Sequence, residues 1–323
     1  MVASDIGIII VGLIILCFGG YALVLGSVAL AKKLQISSIV IGLTVVAYGT
    51  STPELAASIV AAIGSHTDLI IGNIVGSNIS NIGMVIGISA IFVSLKMREQ
   101  TSRRWVPIMI LASFLLVALS LDGEISQIDG VILLIGLIAF SIYTVKTSRK
   151  KLTIGEDVEH EDPESEMSLS KFHITNKKRA VGAVVVGAIL LGIGGHLTVN
   201  SAVSIAEEFG ISQMVIGITI IAIGTSLPEL VTSIIAIRKK QMDIGIGNIV
   251  GSNIYNILFI GGIAGTIAGI PVITDVFNQY IWMIGFSLVL FVGLKKLGGK
   301  IPKFVGVGLV IMYIIYLGSL FVK

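Results

Sequence analysis

Only 13% of the 323 residues are charged, and the chain has a single cysteine, six prolines and few aromatic side chains. Ordinary soluble domains carry about 25% charged residues, so a water-facing surface of the usual kind is excluded. The lone thiol, Cys17, excludes an internal disulfide and any paired-cysteine chemistry, and reads as packing within an apolar segment. The four histidines show no metal-ligand spacing. His160 and His173 fall in a polar loop, His66 in a short turn, and His196 stands alone in an apolar run. The net charge of +3 is too small for a nucleic-acid-binding surface. No HExxH, no GxSxG and no paired aspartates occur in the apolar runs, so an intramembrane enzyme has no residues to work with.

What remains is apolar: 54% hydrophobic residues, with a mean hydropathy of +1.00. A helix crossing a bilayer needs roughly 20 apolar residues. Ten such runs are present, at about 6–30, 38–63, 69–93, 105–121, 128–146, 180–205, 213–237, 244–270, 279–295 and 302–322. The first lacks a basic leader and a small-residue cleavage site, and so reads as a retained helix. Glycine is abundant, at 38 residues, as expected where helices approach closely in lipid. Of the 22 Lys and Arg residues, 21 lie in connections after odd-numbered runs, whereas connections after even-numbered runs are acidic. The positive-inside rule then places both termini outside and the long 147–178 segment in the cytoplasm of a multi-pass cell-membrane protein. The acidic stretch 156–166 reads as part of a solvated linker.

A stretch of the chain occurs twice. Residues 37–82 align without gaps on 212–257 at a constant offset of 175, with 27 of 46 positions identical. Five runs per copy is an odd number, so the copies face opposite ways across the membrane, with the principal site near mid-bilayer between them. The expected architecture is therefore an all-α integral membrane protein of ten transmembrane helices. It divides into a first five-helix repeat (1–146), a cytoplasmic linker (147–178) and a second five-helix repeat (179–323).

The identities cluster in two polar islands, GTS-x-PEL and GNIVGSNI-x-N. Pro53 and Pro228 are expected to break their helices just before themselves, with Gly49 and Gly224 adding flexibility. Such a break frees carbonyls, for instance those of Ala47, Thr50, Ala222 and Thr225, which at membrane depth need a polar partner. Carbonyl, hydroxyl and carboxylate oxygens are the donors that hard cations prefer. Glu54 and Glu229 follow the prolines directly, deep in apolar runs that hold no Lys or Arg, so a proton or a mobile cation must be their partner. Ser77 and Asn81, like Ser252 and Asn256, stand four residues apart and share a helix face. Asn73, Asn78, Asn248 and Asn253 are expected to bond the broken backbone.

GTS-x-PE together with GN-x-x-GSN in both halves resembles the two alpha repeats of the sodium/calcium exchanger family, within the cation/calcium antiporters. The resemblance implies that Glu54 and Glu229 together hold Ca²⁺, helped by the carbonyls of Thr50 and Thr225. It also implies Na⁺ sites from the Ala47 and Ala222 carbonyls and the hydroxyls of Ser51, Ser77, Ser226 and Ser252, with Asn81 and Asn256 lining the middle. By the same resemblance, the first and sixth helices slide across a fixed core. One departure is that some relatives carry aspartate where this chain has Asn256. No cofactor and no protein partner is implied; the partners are Ca²⁺, Na⁺ and the lipid bilayer.

Two carboxylates balance one Ca²⁺ or two Na⁺, and the ions cannot share the glutamates at once. Competition for one site is thus the basis of exchange, and crossing empty is unfavourable. A Ca²⁺/H⁺ antiporter, with the same glutamates carrying H⁺, is the alternative. A cation channel needs a continuous pore, which paired carboxylates between inverted repeats do not suggest.

Overall fold

In hydrocarbon every backbone N–H and C=O must be satisfied within its own segment, so long apolar runs become helices. The computed structural model describes residues 2–64, 68–97, 101–152, 174, 176–210, 222–272 and 275–320. His66, His160, His173, the 156–166 segment and the first half of the seventh apolar run lie outside the described residues. In chain order the helices are α1 (Val2–Leu34), α2 (Ser38–Thr50), α3 (Thr52–Ile63), α4 (Leu69–Phe92) and α5 (Val106–Leu119). There follow α6 (Gln127–Leu152), α7 (Lys177–Glu208), α8 (Ala222–Thr225), α9 (Leu227–Arg238), α10 (Met242–Ala268), α11 (Asp275–Lys296) and α12 (Lys303–Ser319). Among the described residues six of these are long and apolar enough to cross a membrane, and α2 with α3, bent by 47°, makes a seventh when the pair is counted as one span.

The polar islands sit on the most enclosed elements. Helices α4 and α10 are buried along most of their length, while α1, α6, α7 and α11 expose broad apolar faces. Partners are exchanged between the two halves of the chain. Helix α12 meets the second half of α4 where Gly306 faces the Gly87 carbonyl, and α6 meets the second half of α10 where Gly262 faces that of Gly130. Two short antiparallel ribbons repeat the exchange. β1 (Leu95–Lys96) pairs with β4 (Lys300–Ile301), and β2 (Glu124–Ile125) pairs with β3 (Ile270–Pro271).

Helices α1 and α7 run antiparallel along a seam of small residues. A Cβ at Gly12 would lie 3.0 Å from the Gly194 carbonyl, one at Gly19 3.0 Å from that of Gly187, and one at Gly26 2.8 Å from that of Ala180. The seven-residue spacing keeps one face of each helix against the other, and only small residues permit so close an approach. The exposed side of α7 carries Val181, Val185, Val186, Ile189 and Ile193, and that of α1 carries Cys17 among other apolar residues. The α1–α7 pair thus lies across the outside of the buried helices.

Candidate ion site

The break in each polar island falls at a serine. Ser51 (φ −85°, ψ 6°) separates α2 from α3, and Ser226 (φ −90°, ψ 3°) separates α8 from α9. Pro53 and Pro228 stand in the first turn of the helix that follows, where a missing N–H is harmless. The break thus falls just ahead of each proline, as expected, two positions before it. Gly49 and Gly224 are helical, and a Cβ would meet Leu23 and Ala188 at the former and Val199 at the latter. The Ala47 carbonyl is not bare, because it accepts the Ser51 N–H (3.0 Å) and the Thr50 hydroxyl (3.2 Å). Ser226 N–H instead bonds the Ile223 carbonyl (3.2 Å), one residue beyond Ala222.

Glu54 and Glu229 follow in those first turns, where the positive end of the helix dipole favours an anion. Each is 1% exposed, and among the described residues they are the only fully buried side chains of formal charge. The two breaks meet across the halves, because Ser51, three residues before Glu54, donates to Glu229.

The surrounding polar atoms come from both halves. Ser51 Oγ donates to Glu229 Oε1 at 3.0 Å, and Ser252 Oγ donates to the same oxygen at 3.4 Å. Thr50 Oγ1 stands 3.4 Å from Ser252 Oγ and donates to Asn248 Oδ1 at 3.0 Å. Asn248 Nδ2 donates to the Glu229 carbonyl (3.5 Å) and to Ser233 Oγ (3.0 Å). In the other half, Asn73 Nδ2 donates to the Glu54 carbonyl (3.3 Å) and to Ser58 Oγ (3.0 Å), and Ser77 Oγ donates to Asn73 Oδ1 (3.4 Å). Asn73 and Asn248 thus tether the broken segments as expected. Ser58 and Ser233 went unremarked in the sequence, although their identity at the 175 offset was a signal for them.

Asn253 behaves otherwise. Its Oδ1 accepts from Asn81 Nδ2 (3.0 Å) and its Nδ2 donates to Met109 Sδ (3.3 Å), joining α4, α10 and α5 instead of bonding a break. Asn78 has no hydrogen-bond partner for either amide atom among the described residues. Asn81 and Asn256 each open a π-helical turn, Asn81–Ile86 and Asn256–Ile260, which no feature of the sequence indicated. Thr225 ends α8 half-buried, and Ala222 begins it.

Ten buried side-chain oxygens find no protein partner among the described residues, and five of them belong to the candidate ligands: Glu54 Oε2, Glu229 Oε2, Asn81 Oδ1, Asn256 Oδ1 and Ser226 Oγ. Burying an unpaired polar group costs about 1–3 kcal/mol and a charge far more, so unsatisfied oxygens on duplicated motifs call for a ligand. All donors are hard oxygens. No cluster of three His, Cys, Asp or Glu side chains occurs among the described residues, and the set suits alkali and alkaline-earth cations better than transition metals.

The sodium/calcium exchanger protein family model matches residues 4–146 and 179–322, which is both halves of the chain without the segment between them. The chain belongs to the sodium/calcium exchanger family. It is 37% identical over 265 residues to a putative antiporter of Alkalimonas amylolytica, covering 80% of each chain. To the sodium/calcium exchanger MaX1 of Methanosarcina acetivorans it is 31% identical over 353 residues, covering 99% of each. Among solved structures it superimposes on the sodium-calcium exchanger NCX_Mj, soaked with Na⁺ and Sr²⁺, with a TM-score of 0.82 at 32% identity and 99% coverage of both chains. As a member of the sodium/calcium exchanger family the protein is a multi-pass membrane transporter of the cation/Ca²⁺ antiport class, not an enzyme.

Proposed function

We propose that the protein exchanges Na⁺ for Ca²⁺ by alternating access, with both ions competing for one pocket built on Glu54 and Glu229. The observation that carries this reading is the pair of buried glutamates at equivalent helix breaks, each with an unpartnered Oε2, and no buried cation among the described residues. Glu54 and Glu229 would hold a divalent ion and balance its charge, with the carbonyls of Thr50 and Thr225 adding neutral oxygens. Na⁺ ions take the oxygens to either side: the hydroxyls of Ser51, Ser77, Ser226 and Ser252 with the Ala222 carbonyl, and with that of Ala47 only where an ion displaces the Thr50 hydroxyl from it. Asn81 and Asn256 supply neutral oxygens to the middle.

The wider architecture follows the same logic. Ten spans in two inverted repeats, 1–146 and 179–323, are joined by a cytoplasmic segment at 147–178, with both termini outside the cell membrane. The ribbon pairing supports this, since β1 with β4 and β2 with β3 each join two connections that the charge pattern puts on one side. The equivalent tethers of Asn73 and Asn248 support it too. An empty pocket holds two facing carboxylates in low dielectric, so the protein crosses only when loaded, and the Na⁺ gradient moves Ca²⁺ the other way.

Purified protein in proteoliposomes tests the reading. An outward-directed Na⁺ gradient is expected to drive ⁴⁵Ca²⁺ uptake that stops when the gradient is collapsed. Uptake driven only by a pH gradient in Na⁺-free buffer would make H⁺ the coupling ion, and fluxes at channel rates would remove the carrier mechanism.

A further inference from the structure

The two halves are alike in sequence but not in how α1 and α7 cover them. At the end assigned to the cytoplasm, α1 packs on α9. A Cβ at Gly20 would lie 3.0 Å from Ile235, 3.3 Å from Val231 and 3.4 Å from the Thr232 hydroxyl. Thr232 is 0% exposed. One turn beyond, Lys239 places Nζ 4.3 Å from the centre of the Tyr21 ring, both side chains half-buried.

Adding or subtracting the 175 offset gives the matching outer positions: Gly195 on α7, and Ala56, Ala57 and Val60 on α3. These do not meet. Gly195 approaches only Pro228, at 3.7 Å, and Ala56 and Ala57 are exposed while Val60 is 71% exposed. The counterpart of Tyr21 is His196, which is exposed and bonded to its own neighbour Asn200 at 3.0 Å. The counterpart of Lys239 is Gly64, which has no side chain to offer.

We infer that Tyr21 and Lys239 form a one-sided latch that holds the cytoplasmic side closed and biases the resting carrier toward opening outward. The argument rests on the inverted-repeat reading above. If alternation swaps the two packings, opening inward must strip the ammonium from the Tyr21 ring and lift Gly20 away from Val231, Thr232 and Ile235. Closing the outer side gains no equivalent contact, because His196 would come against a glycine. A cation over an aromatic face is favoured most where water is partly excluded, as at these half-buried residues. The cost of breaking the pair therefore falls on one direction of the cycle only. Tyr21 and Lys239 are positioning residues: they touch no transported ion.

The test uses the equivalent pair Ala57 and Thr232 as reporters. Each is changed singly to cysteine in a Cys17→Ala background and probed in membrane vesicles with an impermeant maleimide from either face. With the latch intact and saturating Na⁺ on both faces, so that the loaded carrier can equilibrate, Ala57→Cys should label from outside and Thr232→Cys should resist labelling from inside. Adding Lys239→Gln or Tyr21→Leu should lower the first and raise the second by roughly 2- to 30-fold, the range expected for one cation–π pair. Tyr21→Phe and Lys239→Arg, which keep the interaction, should label like the parent. Labelling that switches reciprocally with Na⁺ and Ca²⁺ but ignores Lys239→Gln and Tyr21→Leu would overturn the latch and leave alternating access standing. Failure of Ala57→Cys to label from outside would remove the open outer face. If the two reporters never change reciprocally under any ion condition, alternating access falls, and the latch with it.

Discussion

A buried carboxylate in a membrane protein is tolerated only with a partner, and this chain gives Glu229 the hydroxyls of Ser51 and Ser252 in place of a cation. That choice leaves the negative charge available to a mobile ion. It also makes Asn256 a point of control, since its Oδ1 is buried and unpartnered. Asn256→Asp adds a third carboxylate, and the apparent Ca²⁺ affinity in ⁴⁵Ca²⁺ flux assays should rise. An unchanged affinity would place residue 256 outside the pocket. The two serines at the breaks should differ as well. Ser51 donates to Glu229 at 3.0 Å, while Ser226 Oγ has no partner among the described residues. In Na⁺- and Ca²⁺-free detergent solution, Ser51→Ala should lower stability by about 1.5–3 kcal/mol, the usual range for a hydrogen bond to a charged group. Ser226→Ala should leave it nearly unchanged. Thermal unfolding of both variants separates these outcomes, and equal losses would contradict the bonding described.

At the scale of elements, the pocket depends on two helices touching backbone to backbone. A Cβ at Gly247 of α10 would lie 2.8 Å from the Ile39 carbonyl and 3.0 Å from Gly42 Cα on α2. Gly247→Val forces these helices apart, and overpacking of this kind costs about 1–3 kcal/mol. Melting temperature and ⁴⁵Ca²⁺ uptake should both fall; a variant that melts and transports like the parent would show the contact to be loose. The helices themselves were legible in the sequence, because in lipid an apolar run has no alternative to closing its own hydrogen bonds. The break was legible only approximately. Proline announces a disruption nearby but is compatible with the first turn of the next helix, so the kink settles two residues earlier, on Ser51 and Ser226. The packing of Gly49 and Gly224 against α1 and α7 was not legible, because glycine signals flexibility and close approach alike. The π-helical turns at Asn81 and Asn256 left no trace in the pattern, since one extra residue in a fully buried helix does not disturb its hydropathy.

At the scale of the whole molecule, duplication explains why the site was easy to find and the asymmetry was not. Identical residues at a fixed offset name the pocket. The differences proposed to bias it, Tyr21 against His196 and Lys239 against Gly64, are distant in sequence and acquire meaning only when helices are packed. Charge balance then governs the cycle. On the proposed reading, two glutamates share one pocket that takes one divalent or two monovalent ions, and neither carboxylate suffices alone. Equilibrium ⁴⁵Ca²⁺ binding to the purified protein, titrated with Na⁺, tests this most directly. The expected result is a single Ca²⁺ per chain, displaced fully by Na⁺ and lost in both Glu54→Gln and Glu229→Gln while the variants remain monodisperse. Retention of Ca²⁺ binding by either variant, or a bound Ca²⁺ that Na⁺ does not displace, would contradict a shared pocket.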